Sequence, residues 1–295
     1  MVPYAVEPTP VQATLYYTLR AVMLARLLMI ALILSYCSGV YGSAGMLGFA
    51  LGNKRVDGSC KSTTDYQEDL HAIKENSGSR IVRLYSAAEC DSALQLLPAA
   101  RAQGFQVLLG VWPDNAESYV KDKSAIAAIA PEYVDELYGV SVGSETLYRE
   151  VFDGEQLLQK IIEIKNVLPD RVQRIGTADT WNKIVDGTAD AIVAHRDVNL
   201  ILANAFAYWS PSSNPDETFH GQMQKVESHI ERKRQQGLAD RIEIWTGETG
   251  WPSDGGSDNG ESKAGTAAAA SYYRRTICGS VMDGINVFAF EAFDE

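Results

Sequence analysis

Residues 81–112 read IVRLYSAAECDSALQLLPAARAQGFQVLLGVW, and this stretch decides the predicted fold. Two short apolar runs, Ile81–Ser86 and Gln106–Trp112, are typical of strands that are buried on both faces. The segment between them, Asp91–Gln103, has helical spacing, opens on a residue that favours an N-cap and is followed by Gly104, which favours a helix stop. A strand, a helix and a second strand in this order predict a parallel βαβ unit.

The same alternation continues on both sides of this unit. Six further apolar runs are predicted as strands: Met46–Gly52, Leu137–Gly143, Arg174–Thr180, Asn199–Trp209, Glu243–Gly247 and Ile285–Phe293. Helical spacing lies between most of them, at Thr64–Asn76, Gly154–Val167, Trp181–Ala194, Phe219–Gln236 and Glu261–Met282. Eight strands that alternate with helices predict an α/β protein with a (β/α)8 TIM barrel rather than a doubly wound sheet. No segment is left after the eighth strand for a last helix.

The composition fits one large globular domain and excludes some partners. The chain has 295 residues, of which 46% are hydrophobic, and a barrel of this kind needs about 250 residues as a single unit. The net charge is −12 and there is no basic stripe, so an interaction with nucleic acid is not expected, whereas a neutral polymer remains a possible substrate. We expect a monomer.

An apolar stretch near the N-terminus predicts a targeting segment. Residues 27–34 are uninterrupted apolar residues, a length typical of the core of a signal peptide, and Gly42-Ser43-Ala44 resembles a cleavage site. Residues 1–44 are therefore predicted to be a leader that contains a signal peptide, with Met23 to Ala44 as its natural extent. Residues 45–295 would form the secreted domain. The alternatives are an uncleaved signal anchor, which would make a membrane-bound enzyme, and a buried helix.

Carboxylates and aromatic rings gather at the predicted carboxyl ends of the strands, where barrel active sites lie. Glu145 follows the fourth strand and Glu248 follows the seventh, each in a turn that contains glycine. A pair of carboxyl groups across a barrel mouth suits glycoside cleavage, because one protonates the leaving oxygen while the other attacks the anomeric carbon or activates water. A single glutamate at a strand end is more often a helix cap or a solvated loop residue, so the pair carries the prediction.

Other side chains at these strand ends are candidates for contact with a sugar. Arg83 is predicted to hold one of the carboxylates ionised. The predicted substrate contacts are Tyr85, Trp112, Tyr208, Trp209 and Glu291. Aromatic rings offer flat apolar faces to sugars, although the same rings would also serve as ordinary residues of a barrel rim.

Other chemistries find less support. Gly139-Val140-Ser141-Val142-Gly143 matches the nucleophile elbow of serine hydrolases, but Ser141 falls inside a predicted strand rather than at a turn. The four histidines lie away from the strand ends and are not paired at metal-ligand spacing, so no metal site is predicted. No Gly-x-Gly-x-x-Gly follows a strand, and no cofactor is expected.

Several segments together resemble glycoside hydrolase family 17. The segment WTGETGWP, Trp245–Pro252, is similar to the nucleophile segment of that family, and VSVGSE, Val140–Glu145, is similar to its acid/base segment. Four more segments match in order: RLYS at 83–86, GVWPD at 110–114, NAFAYW at 204–209 and FEAFDE at 290–295. The resemblance covers most of the chain from about Gly48 and is closest to the fungal cell-wall branch of β-1,3-glucanases and β-1,3-glucanosyltransferases.

The resemblance implies a retaining double displacement on β-1,3-glucan in fungal cell-wall remodelling, with Glu248 as nucleophile and Glu145 as acid/base. Tyr208 is then expected to hydrogen-bond the nucleophile. Family members continue past FEAFDE with a last helix and a final cysteine, so the resemblance implies a domain truncated at its C-terminus. It further implies a disulfide between Cys60 and Cys90, which would leave Cys278 without its partner. The alternative function is a non-catalytic β-glucan-binding protein of the cell wall.

Overall fold

The structure is a computed structural model that describes residues 44–254 and 258–293. Eight parallel strands form a closed barrel in which each strand pairs with the next along the chain and β1 pairs with β8. The strands are β1 Leu47–Ala50, β2 Ile81–Arg83, β3 Gln106–Val111, β4 Leu137–Ser144, β5 Ile175–Thr180, β6 Leu200–Asn204, β7 Glu243–Thr249 and β8 Asn286–Ala289. The prediction of a TIM barrel is therefore confirmed.

Helices surround the barrel between consecutive strands. They are α1 Thr63–Ser77, α2 Ser92–Gln103, α3 Ala116–Ile129, α4 Gly154–Lys165, α5 Trp181–Val185, α6 Asp190–Val193, α7 Pro215–Gln235, α8 Thr266–Tyr272 and α9 Cys278–Met282. A turn of π-helix, Tyr273–Ile277, joins α8 to α9. In the described residues that follow β8, up to Phe293, there is no helix.

The interior of the barrel is filled by side chains that seven of the eight strands contribute. Trp245 is fully buried there and stacks on Phe288 with a distance of 4.4 Å between ring centroids. The neighbouring strand makes room with Gly48, because a Cβ at that position would lie 2.5 Å from the Phe288 ring. A second and larger apolar layer packs the outer face of the strands against the helices. Burial on both faces explains why the strands read as continuous apolar runs.

Several local predictions differ from the structure, among them the helix predicted over Glu261–Met282, which begins at Thr266, and the strand predicted over Ile285–Phe293, which ends at Ala289. Asp91 does not cap α2, since its backbone is left-handed and its side chain makes no capping hydrogen bond, although Gly104 ends that helix in the left-handed conformation as expected. The helix predicted over Trp181–Ala194 is divided into α5 and α6. Helix α3, which was not predicted, begins after Asn115, whose side chain accepts a hydrogen bond from the Ser118 amide.

The sixth strand is shorter than predicted, and this difference matters for the site. Pairing with β7 stops at Asn204, and the chain then turns through a short 3₁₀ helix, Ala207–Trp209. Asn204 therefore marks the end of a strand, whereas Tyr208 and Trp209 lie in the loop that follows it.

A disulfide joins the segment before α1 to the segment before α2. Cys60 and Cys90 are bonded, which confirms the implied pairing, and Cys278 is a half-buried free thiol. Because the two bonded cysteines are 30 residues apart in sequence, the bond closes a long loop of the unfolded chain. Closing a loop of this length lowers the conformational entropy of the unfolded state, which raises the free energy of that state by about 3.5 kcal/mol.

Replacing both bonded cysteines, Cys60→Ser with Cys90→Ser, is expected to lower the free energy of unfolding by about 3.5 kcal/mol. Urea denaturation followed by tryptophan fluorescence measures this difference. Cys278→Ser is the matched control, since it removes a half-buried thiol and leaves the disulfide in place. Equal free energies of unfolding for the double variant and the unaltered protein would contradict the prediction.

The predicted leader, residues 1–44, lies outside the described residues except for Ala44. Over 44–254 and 258–293, no helix has the length and apolar character that a membrane span requires.

Candidate active site

The candidate site lies at the carboxyl ends of four strands. Glu248 is near the end of β7, and Glu145 comes directly after β4. Arg83 is the last residue of β2, and Asn204 is the last residue of β6. Because all strands of the barrel run in the same direction, these residues meet at one mouth of the barrel.

Glu248 sits in a pocket of hydrogen-bond donors. The residue is 8% exposed, and its Oε1 accepts a hydrogen bond of 2.8 Å from the Tyr85 hydroxyl. Arg83 Nη1 lies 3.2 Å from the same oxygen, and Ser144 Oγ lies 3.4 Å from it. Among the described residues, these polar contacts all fall on Oε1 and leave Oε2 available for a further contact.

Arg83 is the buried cation of the site. It is 1% exposed, donates to the carbonyl of Gly247 at 2.7 Å and donates to Ser144 Oγ at 3.3 Å. Its guanidinium also lies over the ring of Tyr85, 4.7 Å from the centroid. A buried cation with these fixed contacts stabilises negative charge on the Glu248 carboxylate and holds it in one place.

Tyr85 supplies the hydroxyl that donates to Glu248. Burial raises the pKa of Tyr85 well above its ordinary value, and the neighbouring negative charge of Glu248 raises it as well. The hydroxyl therefore keeps its proton and remains a donor. Tyr208 was expected to make this bond, but the hydroxyl found there is that of Tyr85.

Glu145 stands in a strained turn. Its φ is +55°, in the left-handed region, and Gly143 two residues before it has φ +84°. The Glu145 amide donates to the carbonyl of Ala178 on β5 at 3.0 Å, which ties the turn to the barrel. Its side chain is half-buried, and Oε1 accepts a hydrogen bond of 3.0 Å from Asn204 Nδ2. A non-glycine residue held in this conformation is typical of functional sites.

Shared neighbours bring the two glutamates together. Asn204 is aligned with Glu248 across β6 and β7, while its side chain donates to Glu145. Ser144, which immediately precedes Glu145, places its hydroxyl against Glu248. The two carboxyl groups predicted as a pair are therefore neighbours in the structure.

Asp179, at the end of β5, fixes the loop that begins at Glu145. It is fully buried and accepts hydrogen bonds from the amides of Leu147 at 2.8 Å and Tyr148 at 3.2 Å. A third bond comes from the Thr180 amide at 2.8 Å. Burial nevertheless raises the pKa of Asp179 to about 6, with a further contribution from the negative charge of Glu145.

The raised pKa of Asp179 predicts a specific pH dependence of stability. In the unfolded chain the group titrates near 3.8, whereas in the folded protein it titrates near 6, so the folded state binds the proton more tightly. Its contribution to stability is fully present below about pH 4 and is lost as the pH rises through 6, a change of about 3 kcal/mol. The variant Asp179→Asn cannot titrate there and is also expected to lose one acceptor at every pH.

Urea denaturation of both proteins between pH 4 and pH 7 measures this effect. The difference in unfolding free energy, unaltered protein minus Asp179→Asn, is expected to fall by about 2 kcal/mol over this range. Parallel pH profiles of the two proteins would contradict the prediction.

The predicted contact residues line two clefts, neither of which Glu145 or Glu248 lines itself. The first has a volume of about 590 Å³ and is bounded by Tyr85 and Trp112. Arg149 lies over the ring of Trp112 at 5.0 Å and donates to the carbonyl of Ser144 at 2.9 Å, so one face of Trp112 is already covered.

The second cleft has a volume of about 720 Å³ and lies on the side of β6 to β8. Tyr208, Trp209 and Glu291 line it, as predicted for substrate contacts. Trp209 is 69% exposed, so its ring is available to a ligand, whereas Tyr208 is buried and meets Trp209 and Trp251 edge to face. Trp251 and Phe290 also line this cleft and were not predicted as contacts.

Two residues of the site were missed as functional residues by reasoning from the sequence. Asn204 was not recognised because the sixth strand was predicted to continue to Trp209, which placed Asn204 inside the strand and not at its end. Asp179 stands at a predicted strand end, but nothing in the sequence shows that its carboxylate turns towards the loop after Glu145. For metals, no three His, Cys, Asp or Glu side chains lie together in a suitable group within residues 44–254 and 258–293.

Comparison with known proteins gives consistent matches. A family model described as the BtgE/BtgC glycoside hydrolase domain matches residues 48–295. A glucan 1,3-beta-glucosidase of Arthroderma benhamiae is 44% identical over 255 residues, which cover 86% of this chain and 80% of that protein. A glucan 1,3-beta-glucosidase of Saccharomyces cerevisiae is 34% identical, with coverage of 89% and 85%. The crystal structure of a glycoside hydrolase family 17 beta-1,3-glucanosyltransferase from Rhizomucor miehei has a TM-score of 0.71 at 26% identity and covers 85% of this chain and 88% of that one.

Proposed function

The chain belongs to glycoside hydrolase family 17 as a BtgE/BtgC glycoside hydrolase domain, and we propose that it cleaves β-1,3-glucan by a retaining double displacement. In this proposal Glu248 is the nucleophile and Glu145 is the acid/base. The observation that carries it is the pair of neighbouring carboxyl groups at the barrel mouth, one bound by Arg83 and Tyr85 and the other by Asn204. The names of the relatives support β-1,3-glucan as the substrate.

The surroundings of the two carboxyl groups support the division of roles. Glu248 faces a buried guanidinium and two hydroxyl groups, all of which stabilise a negative oxygen. A nucleophile must be ionised before it attacks, so this environment suits Glu248. Among the described residues, the polar partner of the Glu145 side chain is a neutral amide, which accommodates both the protonated and the ionised carboxyl group.

In the first step, Glu248 Oε2 attacks the anomeric carbon of the sugar. The bond from that carbon to the glycosidic oxygen breaks, and the proton of Glu145 passes to that oxygen. The product is a glycosyl-enzyme in which the sugar is bound covalently to Glu248. Since Arg83 and Tyr85 contact Oε1, they hold the carboxylate in place without blocking Oε2.

In the second step, Glu145 accepts a proton from the incoming hydroxyl group. The oxygen of that group attacks the anomeric carbon, and the bond to Glu248 breaks. Water as the acceptor gives hydrolysis, whereas a hydroxyl group of a second glucan gives chain transfer. The aromatic cleft around Trp209, which includes Gly250 two residues after Glu248, supports binding of a sugar chain.

The proposal is tested by incubating the purified protein with laminari-oligosaccharides that carry a label at the reducing end. Glu248→Gln is run beside it, and the products are identified by mass spectrometry. Shorter products alone indicate hydrolysis, and longer products in addition indicate chain transfer. Either pattern, absent from Glu248→Gln, supports the proposal. Binding without turnover by the unaltered protein would contradict it and favour the non-catalytic glucan-binding function.

We also propose that the domain, residues 45–295, is secreted to the cell wall as a monomer. The disulfide between Cys60 and Cys90 supports an oxidising compartment, and the apolar segment from Met23 to Ala44 supports cleavage of a signal peptide. Edman sequencing of the secreted protein is expected to begin near Gly45. Light scattering of the same sample is expected to give the mass of one chain.

A further inference from the structure

Asn204 joins the two glutamates of the site and has no role in the reaction as described so far. Its side chain is 2% exposed at the end of β6. The backbone around it is tied to β7, because Ala205 N donates to the carbonyl of Glu248 at 2.9 Å. Its amide Nδ2 donates to Glu145 Oε1 at 3.0 Å. Strand β6 is thus bonded to β7, the strand that carries Glu248. The side chain of Asn204, at the end of β6, binds Glu145.

The position of the Asn204 amide depends on a glycine in the next strand. A Cβ at Gly247 would lie 2.7 Å from Asn204 Oδ1 and 2.8 Å from the Cβ of Leu202. Both distances are too short for a side chain at residue 247, so the glycine lets the amide pack against β7. Close packing on this side leaves Nδ2 directed towards Glu145.

We infer that Asn204 is the positioning residue that decides which oxygen of Glu145 transfers the proton. This inference rests on the proposed role of Glu145 as the acid/base. The N–H group of an amide needs an acceptor, and in a protonated carboxyl group the carbonyl oxygen accepts better than the hydroxyl oxygen, so the bond to Oε1 favours the proton on Oε2. In the first step Asn204 therefore directs the proton to Oε2. In the second step the same bond keeps Oε2 as the oxygen that takes the proton from the incoming hydroxyl group.

Loss of this bond is expected to harm proton transfer more than nucleophilic attack. Asn204→Leu keeps the branched shape of the side chain and removes the N–H donor without adding a charge beside Glu145, and Asn204→Ala removes the whole amide. With a laminari-oligosaccharide, whose leaving oxygen must be protonated, kcat/KM is expected to fall by about 10²-fold. With a dinitrophenyl laminaribioside, whose leaving group departs without a proton, kcat/KM is expected to fall by less than about threefold, since general acid catalysis contributes little there.

Asn199, the residue directly before the same strand, provides a matched control. It lies just before β6 at the opposite end of the barrel, where its side chain accepts from the Ile175 amide at 2.9 Å and donates to the carbonyl of Gln173 at 2.7 Å. Asn199→Ala should lower stability and leave the ratio of kcat/KM for the two substrates unchanged. Thermal unfolding of each variant is measured first, and Asn204→Leu is the variant used if Asn204→Ala does not fold.

The inference is supported if the Asn204 variants lose activity selectively on the oligosaccharide and if azide, which needs no general base, speeds their turnover of the dinitrophenyl substrate. It is overturned if both substrates are slowed equally, or if neither is slowed. Glu145→Ala in the same assay separates this failure from a failure of the proposed function: selective loss in Glu145→Ala without selective loss in Asn204→Leu would overturn only the role of Asn204.

Discussion

Glu248→Ala is expected to lower kcat on laminari-oligosaccharides by roughly 10⁴-fold to 10⁶-fold, because it removes the atom that forms the covalent intermediate. Binding should persist, since the clefts that carry Trp112 and Trp209 are unchanged. The measurement is the release of reducing ends, together with a binding titration that uses the same oligosaccharide.

Glu248→Ala also allows a second test, which distinguishes a nucleophile from a residue that only supports the structure. An α-laminaribiosyl fluoride resembles the covalent intermediate in its configuration and fits the space that the alanine leaves. Glu145 can still act as base, so Glu248→Ala is expected to couple this donor to an acceptor glucan and form a β-linkage. The matched control is Glu243→Gln at the opposite end of β7, where the carboxylate binds Arg174 and Trp245 instead of the site. Glu243→Gln should hydrolyse oligosaccharides and give no coupling, and coupling by neither variant would contradict the assignment of Glu248.

Glu145→Ala is expected to lower kcat/KM on oligosaccharides by roughly 10²-fold to 10⁴-fold. The loss of kcat/KM should be smaller for a substrate whose leaving group needs no proton. For such a substrate, breakdown of the glycosyl-enzyme should become the rate-limiting step. Added azide is expected to accelerate that step and to yield a β-glycosyl azide, because azide attacks without a base. Steady-state kinetics with a dinitrophenyl laminaribioside, with and without azide, measures the effect.

A second glutamate in the same loop serves as the control for Glu145. Glu150 also has a positive φ, of 56°, but its side chain is exposed. Glu150→Ala should leave kcat/KM and the azide response unchanged. If Glu145→Ala shows no azide product and slows both kinds of substrate equally, the acid/base belongs to another residue.

The barrel could be predicted because its physical cause is visible along the chain. Strands buried on both faces must be apolar throughout, so stretches such as Gln106–Val111 stand out from the helices around them. The carboxyl ends of the strands then narrow the search for chemistry to a few positions. Glu248 and Glu145 were predicted as a pair in this way, and in the structure Asn204 contacts Glu145 while Ser144, the residue before Glu145, contacts Glu248.

What the sequence did not predict depends on contacts between distant strands. The apolar residues after Asn204 continue the pattern of β6, so the end of the strand is set by pairing with β7 and not by composition. The choice of Tyr85 over Tyr208 as donor to Glu248 likewise follows from where β2 lies in the closed barrel. Helix α3 was overlooked although Asn115 caps it and Tyr119, Ile126 and Ile129 bury one face, so its signal was present in the sequence.

Trapping of the covalent intermediate tests the retaining mechanism most directly. The protein is incubated with a 2-deoxy-2-fluoro-laminaribiosyl fluoride, a donor that forms the glycosyl-enzyme quickly and loses it slowly, and is then digested and examined by mass spectrometry. We predict one laminaribiosyl label per chain, carried by the peptide that contains Glu248. A label on another residue, or an active protein that turns over oligosaccharides and is never labelled, would contradict the assignment of Glu248 as the nucleophile of a double displacement.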